Sequence, residues 1–167
     1  TKITYSSHAT NLVIGDSNGV SDVFVYDIAS QTTTRVSVAP GNVAGNDHSY
    51  MPRFSADGTK IVFHSYASNW VGGDLNGLAD VFVKDLVTGE LTRVSSTIAG
   101  QASNGGSQDG HFTPDGGGVL FVSKASDLTP DDTNGLQDVF LFRFADFGAG
   151  ADHLVGGAGM DTASYET

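Results

Sequence analysis

Three copies of one short pattern carry the residues of this chain best suited to hold a cation. They are Asp16-Ser17-Asn18-Gly19-Val20-Ser21-Asp22, Asp74-Leu75-Asn76-Gly77-Leu78-Ala79-Asp80 and Asp132-Thr133-Asn134-Gly135-Leu136-Gln137-Asp138. Each offers a carboxylate, an amide and a second carboxylate at i, i+2 and i+6, with glycine at i+3. Hard cations such as Ca²⁺ take carboxylate and carbonyl oxygens, and a glycine allows the sharp turn that gathers them. The pattern has no final bidentate Glu, so it amounts to half of a calcium loop. A turn explains it equally well. Asn-Gly favours tight turns, and Asp side chains bond N–H groups of their own loop. Duplication copies a turn as readily as a site, so both readings stay open.

The leading Asp recurs at 16, 74 and 132, a step of 58 both times, and residues 1–37 match 59–95 at 20 of 37 positions. A fixed step of this size is the mark of a repeat architecture. The units run over about 1–48, 49–106 and 107–144. Each holds short β-branched and aromatic runs, such as Ile61-Val62-Phe63 and Val119-Leu120-Phe121-Val122, which read as strands. Asp57-Gly58 and Asp115-Gly116 precede these runs and predict hairpin turns. The motif then leads into a further strand, Asp80–Asp85, and Thr88-Gly89 turns into Leu91–Ser95. No segment has helical periodicity. Four antiparallel strands per unit of about 58 residues predict an all-β chain of β-propeller blades. Val81-Phe82-Val83 is apolar on both faces, as stacked sheets require.

Phe54-Ser55-Ala56-Asp57-Gly58 followed by Lys60-Ile61-Val62-Phe63, with Phe112-Thr113-Pro114-Asp115-Gly116 as a second instance, resembles the WD40-like repeat of TolB-type β-propellers. The resemblance covers residues 1–142 and implies the fold rather than a function. Strands fall as three, four and three across the units, whereas closed propellers typically use 4–8 blades. The ring is therefore expected to be incomplete in one chain. A fragment of a larger protein is the first expectation. Two chains that complete each other's blades as a homo-oligomer are the second.

Composition changes after Phe144. Gly148-Ala149-Gly150-Ala151-Asp152 and Gly157-Ala158-Gly159-Met160-Asp161 place two Asp residues nine apart. This stretch, 145–167, resembles the glycine-rich nonapeptide of RTX proteins, with Phe147 where the first glycine of the first copy belongs. The resemblance implies a short β-roll-like segment. It also implies Ca²⁺ between successive turns, with Asp152 and Asp161 as carboxylate ligands and Gly148, Gly150, Gly157 and Gly159 as carbonyl donors. For the parent protein it implies a bacterial, type I secreted, extracellular setting. Two copies are short of the three units that stacking normally needs.

The charge balance is 8 basic against 19 acidic residues, a net of −11. That argues against nucleic acid and anionic membrane as partners, since both need positive charge. It suits calcium, and it also suits plain solubility. The absence of cysteine excludes disulfides, zinc fingers and iron–sulfur clusters. No apolar run is long enough for a membrane-spanning helix. His8, His48, His64, His111 and His153 occupy unaligned positions and read as surface or filler residues. Arg35 and Arg93 recur in Thr-Arg-Val-Ser, on a strand expected to face solvent, and receive no role. Trp70 reads as a packing residue.

The first expectation is a secreted, calcium-binding, non-enzymatic module that binds protein or glycan on its loop face. The alternatives are a propeller domain of a polysaccharide- or peptide-degrading enzyme and a self-assembling cell-surface protein. Clustered His, Arg and carboxylate at the ring centre would favour the enzyme.

Overall fold

The computed structural model describes residues 1–130 and 132–144. They form twelve strands: β1 (Lys2–Ser7), β2 (Asp22–Asp27), β3 (Thr32–Arg35), β4 (Val38–Ala39), β5 (Val43–Ala44), β6 (Ser49–Phe54), β7 (Lys60–Ser65), β8 (Asp80–Asp85), β9 (Leu91–Arg93), β10 (Ser107–Phe112), β11 (Gly118–Ser123) and β12 (Asp138–Arg143). The sheets are β1-β2-β3, β6-β7-β8-β9 and β10-β11-β12, with β4-β5 as a small extra hairpin. All pairings are antiparallel. The expected distribution of three, four and three strands is present, and the sheets are propeller blades that do not close a ring. The Gly/Asp-rich stretch 145–167 lies outside the described residues.

The hairpin turns form where Asp-Gly placed them. In the β6–β7 turn, Gly58 takes φ +70°, a left-handed conformation open to glycine at little steric cost. The Asp57 carboxylate accepts from Thr59 N at 3.0 Å and Ser55 Oγ at 2.6 Å. These bonds favour the charged form and hold its pKa down at about 2. Asp115 closes the β10–β11 turn in the same way, accepting from Gly117 N at 3.0 Å.

Packing follows the step of 58. Tyr5 pairs with Phe24, Phe63 with Phe82 and Phe121 with Phe140, each across the β1–β2, β7–β8 or β11–β12 pair of its sheet. The rings stack with centroids 5.8, 6.1 and 5.8 Å apart. The middle sheet is buried on both faces. Ile61, Phe63, Phe82 and Leu91 pack with Val23, Val25 and Val36 of the first sheet's unit. Val62, Val81, Val83 and Val94 pack with Val119, Phe121 and Phe140 of the third. This is why Val81-Phe82-Val83 lacks polar alternation. Burying a Phe or Val side chain contributes roughly 1.5–3 kcal/mol, so these two interfaces dominate the stability. Trp70 meets Phe63 and Phe82 edge-on at 6.1 and 5.3 Å and donates from Nε1 to Val43 O at 3.1 Å. It is a packing residue, and it ties the β4-β5 hairpin to the core.

Two features depart from the strand pattern. The pairing of β6 with β7 shifts between Tyr50 and Arg53, and that of β10 with β11 between Gln108 and His111. Met51 and Asp109 take φ +52° and +56° there. Each position precedes a residue that disturbs a strand, Pro52 or Gly110, and such residues commonly mark bulges.

Candidate functional site

The repeated Asp-x-Asn-Gly loops stand at one end of the blades, between the second and third strands of the complete unit. In the first unit, Asp16 and Asp22 converge on a buried guanidinium. Arg35 Nη1 lies 3.2 Å from Asp16 Oδ1 and 3.3 Å from Asp22 Oδ2. Asn18 donates through Nδ2 to Asp22 Oδ2 at 2.9 Å and to Gly45 O, in the segment leading to the next unit, at 3.1 Å. Its Oδ1 accepts from Val20 N at 3.3 Å. Ser37 Oγ donates to Asp22 Oδ1 at 2.6 Å and accepts from Val23 N at 3.0 Å.

The second unit repeats the arrangement. Arg93 Nη1 lies 3.8 Å from Asp74 Oδ2 and 3.6 Å from Asp80 Oδ2. Ser95 Oγ donates to Asp80 Oδ1 at 2.6 Å and accepts from Val81 N at 3.0 Å. Asn76 donates to Ser103 O, in the segment leading to the following unit, at 2.8 Å, and its Oδ1 accepts from Leu78 N at 2.7 Å. Asp80 is wholly buried. Desolvation is the largest influence on it and raises its pKa to about 6, against the opposing pull of Ser95 and Arg93. Burial raises the pKa of Asp16 and Asp74 as well.

In both units a guanidinium occupies the space between the carboxylates where calcium was expected, and each amide nitrogen serves as a donor. The donors of these two loops hold the third strand to the outer one and tie each loop to the segment that leads into the next blade. Arg35 and Arg93, given no role from sequence, are 8% and 7% exposed. The signal was available, because the Arg recurs at the same step as the Asp pair.

The third unit differs. Asn134 bonds Asp138 Oδ2 at 3.0 Å and accepts from Leu136 N at 2.6 Å, so the loop keeps its shape. Position 151, two steps from Arg35, is Ala, and no Lys or Arg follows Arg143. Asp132 is 8% exposed, and its Oδ1, like that of Asp74 in the second unit, is buried with no hydrogen-bond partner. Among the described residues no group of three or more His, Cys, Asp or Glu is placed to hold a metal. Gly148, Gly150, Asp152, Gly157, Gly159 and Asp161 lie outside the described residues.

Two other places hold clustered polar groups. The bulged strands β6 and β10 bring Arg53 Nη2 to 2.9 Å and His111 Nε2 to 3.4 Å from Asp109 Oδ1. The cluster is 40–50% exposed at its side chains and is not enclosed by a cleft. Nearby, His8 meets His48 at a tilt at 5.2 Å, His48 stacks on Tyr50 at 5.6 Å, and His48 Nδ1 accepts from Ser21 N at 2.8 Å. His64 is buried, and desolvation lowers its pKa. His48 and His64 are therefore parts of the blade packing rather than surface filler. A separate cleft of ≈ 520 Å³ opens beside β9, lined by Val71, Leu91, Ile98 and Phe142 among others.

No helix among the described residues is long and apolar enough to cross a membrane. No family model matches the chain, and no curated protein does. Among solved structures it is similar to TolB from Acinetobacter baumannii, with 21% identity and a TM-score of 0.50 over 88% of this chain. The chain spans 28% of the length of that protein. The architecture described above, together with this likeness, makes the fold a TolB-like β-propeller with its ring open.

Proposed function

We propose that the chain is a binding or scaffolding segment of an extracellular β-propeller, recognising protein or glycan through its loop face. One observation carries the reading. The three loops expose large apolar side chains: Ile14 at 105%, Leu75 at 93% and Leu136 at 67% of full exposure. Exposed apolar groups held on a rigid frame are a common feature of interaction surfaces. In the first two units the Asp–Arg latches fix the loops from beneath and leave their tips free for a partner. Panels of polysaccharides and displayed peptides test this. Ligands retained by the wild type are expected to be lost by a Leu75→Ser/Leu136→Ser variant that melts at an unchanged temperature. Binding indifferent to both substitutions, or turnover of a polysaccharide, would overturn the reading.

Calcium belongs to this proposal through the tail. The spacing of Asp152 and Asp161, the glycines between them and the net charge of −11 support Ca²⁺ binding there. The same resemblance supports secretion to a calcium-rich exterior, where metal binding and ordering of the tail would be coupled. Calcium titration of the chain is expected to give binding that Asp152→Ala/Asp161→Ala removes. Binding unchanged in that variant would sink the assignment.

A further inference from the structure

The bulges on β6 and β10 are one feature copied at the step of 58. Met51 and Asp109 hold equivalent positions, as do Pro52 and Gly110, and Arg53 and His111. Met51 and Asp109 both take a left-handed φ, which is costly for most side chains and better tolerated by Asp. Such a conformation persists where the surroundings impose it. At β10 the surroundings do so. Gly110 lies so close to the second sheet that a Cβ there would meet Val62 Cγ2 at 2.5 Å and Val81 Cγ1 at 2.9 Å. With the backbone pinned, the bulge turns the Asp109 carboxylate onto Arg53 Nη2 at 2.9 Å and His111 Nε2 at 3.4 Å. Re-aiming a side chain is what bulges beside functional sites commonly do. The result is a donor and an acceptor side by side, with opposite charges that cancel. Both contacts fall on Asp109 Oδ1, so Oδ2 is left to accept, and the guanidinium has N–H groups to spare. His64 is 7% exposed, its Nδ1 is buried with no partner, and the Asp109 charge acts on it. Met51, 54% exposed, adds an apolar group two residues before Arg53.

We propose that Arg53, Asp109 and His111 form a binding site for the vicinal diol of a neutral sugar ring. One hydroxyl donates to Asp109 Oδ2, and its neighbour accepts from the Arg53 guanidinium. Hydroxyls suit this pair because each can both donate and accept, and bonds to ionised partners are the stronger kind. A ligand with its own charge fits less well, because the pair is already neutral and the added charge would stand unmatched. His111 shares the carboxylate and therefore reports on its occupancy. The frame is rigid, since the groups sit on paired strands rather than on loops. The site belongs to the first strands of two adjacent sheets, β6 and β10, and is additional to the loop face proposed above. Being open, it holds a single ring weakly. Such binding is not retained in a panel that selects ligands of the loop face, so the two readings stand or fall separately.

The probes are the methyl glycosides of glucose, galactose and mannose, which differ in how their vicinal hydroxyls are set, with glucuronate as the charged control. Each is titrated into the full chain while the imidazole nitrogens are followed by NMR, the His111 signals being assigned through His111→Gln. A saturable shift at His111 is expected with at least one neutral glycoside. Asp109→Asn is expected to weaken it at least tenfold, and Asn accepts the left-handed backbone as Asp does, so the bulge is kept. The Leu75→Ser/Leu136→Ser variant is expected to bind the same glycoside unchanged. The wild type gives a readout that depends on no variant, since glucuronate is expected to bind more weakly than the best neutral glycoside. The proposal is overturned by the absence of any saturable shift at His111, or by binding indifferent to Asp109→Asn. It is equally overturned by binding lost in the loop variant, or by glucuronate bound more tightly than every neutral glycoside, because the occupant would then be an anion.

Discussion

At the scale of single residues, the account rests on a carboxylate pair closed over a guanidinium. Arg93→Met removes the cation and leaves Asp74 and Asp80 buried without compensation. Breaking such a pair costs roughly 3–5 kcal/mol, and urea unfolding is expected to show a loss of that order. Asp80 also sets a pH dependence. Its folded pKa is raised from 3.8 to about 6, so between those values the folded chain keeps a proton that the unfolded chain has released. Its contribution is full below the unfolded value and is lost as pH rises through about 6. Asp57 and Asp85, held down at about 2 by hydrogen bonds, act in the opposite direction. Their contribution is present above 3.8 and is lost as pH falls through about 2. Melting temperature is expected to decline from pH 4 to 6.5 in the wild type, and Asp80→Asn is expected to flatten that decline. The loop residues were legible in the sequence as oxygen donors, and the Asn-Gly turn was legible too. Their real partner was not. Thr-Arg-Val-Ser lies well along the chain from each first Asp, and only the pairing of the outer strand brings the two together.

At the scale of elements, strand identity was plain because β-branched and aromatic runs recur between Asp-Gly and Asn-Gly turns. The strand after the second motif was read as Asp80–Asp85, which is β8 as the structure draws it. The bulges were not read. Their residues Met51 and Asp109 look like ordinary strand positions, and the only hint was the Pro or Gly that follows. Gly110 shows why the bulge matters for packing. A Cβ there would come within 2.5 Å of Val62 Cγ2 and 2.9 Å of Val81 Cγ1. Gly110→Val is therefore expected to push the third sheet off the second, lowering the melting temperature and exposing apolar surface to a dye such as ANS. Phe82→Ala tests the other interface. It removes a ring packed by Phe63 and Trp70, and is expected to cost about 3–5 kcal/mol while shifting Trp70 emission to the red.

At the scale of the molecule, the step of 58 revealed the number of blades, their strand counts and the open ring before any coordinate was known. It did not reveal that two copies of the motif would close on an arginine of the outer strand. The loops are alike, and in the first two units it is the outer strand that brings a guanidinium to the carboxylates. The latches therefore belong to folding, and calcium, on the proposal above, belongs to the tail. Thermal unfolding followed by the fluorescence of Trp70, the single tryptophan, tests this division directly. The protein is melted with excess EDTA and again in millimolar Ca²⁺, with Mg²⁺ as the control. A ligand at 100 times its Kd adds about 2.7 kcal/mol to the state it binds, which is a readily measured shift. The account predicts the same midpoint in EDTA and in calcium, because Arg35 and Arg93 already hold the carboxylates around Trp70's blade and its neighbour. A rise specific to calcium that Asp74→Asn abolishes would contradict it.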